Sequence, residues 1–278
     1  MVLRLSASAI VMLLAAGGPA AAQAVSSASA AAAGRAHYNA GRAAEALAAV
    51  QPYVVRPGEP AAAALVAGRA LLERYRSTAD AADLAGAREH LRAIDAAELS
   101  AAERRELVVG LAEALYLEDA FAPAAELFDT ALGPAGGAES LTGDARERAL
   151  DWWATSLDRH AQLMPQAERR HIYRRLADRM EQESREFPNS TPAAYWLAAA
   201  ARGAGELDRA WAAAIAAWVR ASMMRDRGAA LRADIDRLVI QALIPERARG
   251  LGLGARETDH AIAGMTAEWE LIKKNWSR

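Results

Sequence analysis

The chain has 278 residues, 33 Lys and Arg against 35 Asp and Glu, a formal charge of −2 and no cysteine. That balance lacks the electrostatic footprint of a nucleic-acid binder. Without cysteine there are no disulfides, thiolate nucleophiles, Cys-based metal sites or lipid-modified Cys after a leader.

The N-terminus reads as a secretory signal peptide over residues 1–24. Met1 to Arg4 is short and basic, Leu5 to Ala16 is an apolar run, and Ala22-Gln23-Ala24 is a small-x-small cleavage site. Cleavage is expected after Ala24. It removes one charge, Arg4, and takes the formal charge from −2 to −3. No later stretch is long and apolar enough to cross a bilayer, so no transmembrane anchor is expected after cleavage. The mature chain is therefore expected to be periplasmic or secreted. Abundant Ala and Arg, with lysine only at Lys273 and Lys274, suit a GC-rich Gram-negative bacterium.

Aromatic residues make up 6% of the chain. With alanine so frequent, helix is favoured nearly everywhere and a β-sandwich is disfavoured. A first helical hairpin begins at Gly34, which occupies a packed small-residue position, and turns at Gly41. Pro57, Gly58 and Pro60 close it. A second hairpin starts near Ala61, with Leu65, Gly68, Leu71, Leu72 and Tyr75 at helical spacing. Its turn is expected to be enlarged, over Ser77 to Asp83, with an extra helical turn as one form of the enlargement. Ser100 and Glu103 form a capping box for the third hairpin, which ends at Leu132. Residues 133–143 are a Gly-rich connector and the expected hinge.

A fourth hairpin opens with Asp144 as its expected cap. Leu150, Trp153, Ala154 and Leu157 repeat the spacing of Val108, Leu111, Ala112 and Leu115, 42 residues on. Its second helix, Gln166 to Glu186, interleaves arginines and carboxylates at i,i+3 and i,i+4. That pattern predicts a solvated face, with docking of an anionic component as the sharper alternative. Phe187 to Pro192 stops that helix and caps a fifth hairpin ending at Met223. A further helix from about Asp226 is expected to stop at Pro245. Thr258 to Trp276 reads as a closing helix.

One six-position spacing occurs twice. Leu111, Ala112, Leu115, Ala124, Phe128 and Ala131 recur 86 residues later as Leu197, Ala198, Ala201, Ala210, Ala214 and Ala217. Small residues belong where two helix backbones approach closely, which is the signature of a helical-hairpin repeat. The chain resembles the tetratricopeptide repeat family over most of Gly34 to Met223. The resemblance implies an all-α solenoid of antiparallel hairpins in a right-handed superhelix. Hairpins 1–3 span residues 25–132, hairpins 4–5 span 144–223, and a helical cap spans 224–278.

The family resemblance also implies protein or peptide binding in a concave groove lined by the first helix of each hairpin. By repeat position the groove candidates are Arg69, Glu73, Glu113, Tyr116, Asp151, Asp158, Arg159, Tyr195 and Arg202. The Lys and Asn clamp with which chaperone-binding members hold a terminal carboxylate is missing from these positions. Trp152 and Trp196, beside core positions, are expected to seal neighbouring hairpins rather than form a platform.

No cofactor, metal or catalytic residue is implied. The five histidines are scattered without an HExxH pair, and neither a GxSxG elbow nor a Walker loop occurs. Gly250-x-Gly252-x-Gly254 follows a proline rather than a strand, which removes a dinucleotide loop. Two alternatives accompany the scaffold reading. One is a cell-wall enzyme with an acidic site near Glu183, which requires that carboxylate in a deep pocket. The other is a structural protein, a homo-oligomer pairing through Thr258 to Trp276 with Trp269 and Trp276 exposed.

Overall fold

The computed structural model describes residues 19–54, 60–133 and 141–276, with side chains from residue 27 onward. Every regular element among them is helical. The chain divides into two compact units, Met1–Leu99 and Ser100–Arg278. The predicted signal segment lies outside the described residues up to residue 18, as do residues 134–140 of the connector.

The first unit holds α1 (Pro19–Asn39), α2 (Ala43–Val50), α3 (Ala61–Thr78) and α4 (Ala81–Ala93). α1 packs on α2 and α3, α2 packs on α3, and α3 packs on α4. Gly34 is where the sequence places a small residue, for a steric reason. A Cβ there would lie 2.8 Å from Val50 Cγ1 and 3.0 Å from Val66 Cγ1. Ala63 to Leu72 on α3 are all buried, as befits a helix with neighbours on several sides.

The segment expected as an enlarged turn, Ser77 to Asp83, is mostly helical: α3 runs on to Thr78, and only Ala79 and Asp80 separate it from α4. The hydroxyls of Ser77 and Thr78 donate to Arg74 O and carry α3 through to Thr78. Ala79 then takes a left-handed conformation (φ 57°), with its N–H on Tyr75 O at 2.7 Å. Asp80 caps α4 by accepting from Ala82 N at 3.0 Å.

The second unit begins with α5 (Ala101–Leu117), α6 (Phe121–Leu132), α7 (Gly143–Gln162) and α8 (Gln166–Glu186). It continues with α9 (Thr191–Gly203), α10 (Leu207–Met223), α11 (Ala229–Leu238), α12 (Ile244–Gly250) and α13 (Ala255–Trp276). The capping box forms at α5: Ser100 Oγ accepts from Glu103 N, and Glu103 accepts from Ser100 N at 3.0 Å. Each helix packs on its successor from α5 to α11, while α7 also touches α5 and α9, and α9 touches α11. At both copies of the repeated spacing the small residues are buried: Ala112, Ala124 and Ala131, then Ala198, Ala210 and Ala217.

Three expectations change here. Thr142, not Asp144, is the N-cap of α7, because Gly143 (φ 55°) lets the chain enter the helix two residues earlier. Asp144 is left in the first turn, where its charge favours the helix dipole. Pro245 does not stop the helix from α11. A π turn over Val239–Leu243 widens the ladder just before it, so the proline enters as the first turn of α12. The closing helix begins at Ala255, three residues before Thr258.

The last helix is anchored rather than open. Trp269 is fully buried against Trp211 and Trp218, at centroid distances of 5.9 and 5.5 Å. Its indole N–H donates to Asp236 at 2.8 Å, and Lys273 donates to the same carboxylate oxygen. This corrects the expectation that Trp269 belongs to an open pairing edge. Of the two tryptophans named for it, only Trp276 is exposed.

Candidate functional site

In the second unit the first helices of successive hairpins, α5, α7 and α9, bring most of the sequence candidates to one run of neighbouring helices. Tyr116 on α5 meets Trp152 on α7 edge-on at 4.7 Å, and Trp152 stacks on Phe128 of α6 at 6.0 Å. The next junction is polar: Trp196 on α9 donates its indole N–H to Asp151 on α7 at 2.7 Å. Both tryptophans therefore seal junctions between hairpins.

Asp158 accepts from Tyr173 OH and from Gln162, both at 2.7 Å, which ties α7 to α8. Burial raises the pKa of Tyr173, and the Asp158 carboxylate adds to that. Burial also raises Tyr195, with Asp234 and Asp158 contributing. Arg202 holds Glu246 of α12 through two bonds of 2.9 and 2.7 Å.

These candidates are thus braces between helices. Glu113 is buried rather than groove-lining, and Arg159 stands exposed on α7. In the first unit, Arg69 is also buried and donates to Tyr38 OH at 2.9 Å, while Glu73 pairs with Arg76 at 2.8 Å. Nothing in the chemistry of these pairs is reactive. In the second unit these pairs tie α7 to α8 and α9, and α9 to α12.

Most of the charged residues of helix α8 are exposed, as the interleaved charges predict. Its arginines reach across to other helices: Arg175 to Glu126 at 3.0 Å, Arg179 to Asp129 at 3.0 Å and Arg174 to Glu206 at 3.2 Å. Arg209 of α10 answers with Glu181 at 2.7 Å. Its hydrogen bonds hold Glu181 and Glu206 below their usual carboxylate values.

Glu183 lies at the centre of this lacing with no exposed surface. Arg146 Nη2 contacts both its oxygens, at 2.7 and 2.8 Å, and Arg179 Nε donates at 2.9 Å. The same arginines donate to Leu132 O and Gly133 O at the end of α6. A general acid needs a raised pKa and a path to substrate. Glu183 has no exposed surface and so no path to a substrate, and the acid-site reading is not carried forward.

Sequence reasoning missed Arg146, although a signal was there. Arg146 falls in the apolar stripe of α7, four residues before Leu150 and seven before Trp153. Glu183 continues the α8 stripe of Tyr173, Leu176, Ala177 and Met180. A charge set into a buried stripe requires an opposite charge, and these two satisfy each other.

One cleft of about 300 Å³ opens between α6, α7 and α8, lined by Ala122, Pro123, Glu126, Leu157, His160, His171, Ile172 and Arg175. Among the described residues no group of three or more His, Asp or Glu could hold a metal ion. Compared with known proteins, the chain matches no family profile, no curated protein and no solved structure.

Proposed function

We propose that this chain is an exported, non-catalytic scaffold whose tetratricopeptide-like hairpins stack into a solenoid and hold a protein or peptide on the face of their first helices. The packing pattern carries the reading. From α5 to α11 each helix rests on the next, and α7 and α9 also touch the helices two positions away. A repeat that buries only its small-residue seam leaves one side of each first helix for contact with a partner. Binding would rest on shape and charge complementarity to a rigid surface, with no bond chemistry. Export rests on the signal-like N-terminus.

Arg148 and Arg159 are both exposed and lie about three turns apart on α7, opposite its buried stripe. The test is affinity capture from envelope extract with the chain from Val25 to Arg278, beside the double variant Arg148→Glu/Arg159→Glu. A partner held by the parent and lost by a variant of unchanged circular dichroism supports the scaffold reading. Equal retention moves the site off this face, and no retained partner removes the reading.

A further inference from the structure

We infer that the cleft between α6, α7 and α8 is a binding site for a small uncharged aromatic molecule of phenol or indole size. At about 300 Å³ it lies at the lower end of volumes that hold small ligands. Its apolar lining, Ala122, Pro123, Leu157 and Ile172, offers hydrocarbon to a ligand body.

The polar lining decides the class. Arg175 contributes a cation, and Glu126 already answers it across the cleft at 3.0 Å. Asp129, 3.6 Å from the same guanidinium, is in turn paired with Arg179 at 3.0 Å. A charged ligand would find no unmatched counter-charge among these pairs, so the balance favours neither anions nor cations. What remains on the rim is planar: the imidazoles of His160 and His171 and the guanidinium of Arg175. Such groups favour the faces of aromatic rings, and an imidazole can exchange a hydrogen bond with a hydroxyl or ring N–H. An aliphatic alcohol of the same volume would use the apolar lining but forgo the stacking. This site is independent of the scaffold face on the first helices.

The experiment is calorimetric titration of the chain with p-cresol and indole, beside cyclohexanol, benzoate and benzylammonium as probes. The parent should bind the two neutral aromatics in the submillimolar range and each of the other three about tenfold more weakly or worse. Ala122→Trp, which fills the cleft from the α6 side, should abolish binding, and His171→Ala should weaken it several-fold. Should Ala122→Trp fail to fold, the His171 ring resonances of the parent supply the location, shifting on titration with p-cresol. Equal affinity for cyclohexanol, or tighter binding of either ion, overturns the class. Binding that survives the filled cleft, or leaves the His171 resonances unmoved, overturns the location. Binding of N-acetyl-tyrosinamide without p-cresol assigns the cleft to a partner's side chain and overturns a free ligand. No binding at millimolar concentration overturns the site.

Discussion

Arg146 Nη2 sits between the two carboxylate oxygens of Glu183, at 2.7 and 2.8 Å, with 3% and none of the respective side chains exposed. Such a pair is costly to desolvate, and its worth shows when one member is removed. Glu183→Ala strands Arg146 and loosens Arg179, and should destabilise the protein by about 3–5 kcal/mol. Arg146→Met/Glu183→Leu removes both charges while Arg179 keeps Asp129, and should recover most of that loss. Denaturant midpoints at unchanged m-value measure both, and a double variant no better than the single would refute the pairing.

Glu147 acts as a cap. This half-buried carboxylate caps α9 from α7, accepting from Ser190 Oγ at 3.0 Å and Thr191 N at 3.1 Å. Burial raises its pKa above the usual glutamate value, with Glu183 adding to the rise. A raised folded-state value means its contribution is fully present below the unfolded pKa and lost as pH rises through the folded one. Stability should therefore lose a small increment from about pH 4 upward. Glu147→Gln keeps an acceptor for both donors and should flatten that increment in melts recorded across the window.

Helices and their small-residue seams are legible in the sequence because both depend on local spacing. The capping box at Ser100, the seam alanines and the span of α8 follow from residues within a turn or two of each other. The expected groove residues behave differently. Asp158, Arg202 and Asp151 project from first helices as the repeat requires, yet each is taken up by a residue on another helix: Tyr173, Glu246 and Trp196. Those partners lie 15 to 45 positions away, beyond what helical periodicity encodes. Pro245 misleads for the same reason in reverse, since a π turn upstream accommodates it.

Ala79 ends α3 in a left-handed conformation that costs an L side chain free energy. Ala79→Gly relieves that strain and loses little else, because the residue is exposed and its contact is the backbone bond to Tyr75 O. The gain in stability should be about 0.5–1 kcal/mol after the extra chain entropy of glycine is subtracted. A raised melting temperature with an unchanged far-ultraviolet spectrum is the expected result, and a lowered one would contradict the strained cap.

Trp269 should decide whether α13 stays docked, since its indole fills the space between Trp211 and Trp218 while its N–H reaches Asp236. Trp269→Ala leaves a large cavity, and a loss of about 3–5 kcal/mol is expected. Asp236→Asn should cost far less, about 1 kcal/mol, because the carboxylate is partly exposed and its ion pair with Lys273 is screened. Burial opposes ionisation of Asp236, but the hydrogen bonds from Lys273 and Trp269 prevail and its pKa is lowered. Its stabilisation is therefore present above the ordinary aspartate value and lost as pH falls. Hydrogen exchange separates local from global effects. Faster exchange confined to α13 and α12 in Trp269→Ala would mark the last helix as a docked cap. Faster exchange that also reaches α10 and α11 would make the tryptophan a keystone of the second unit's core.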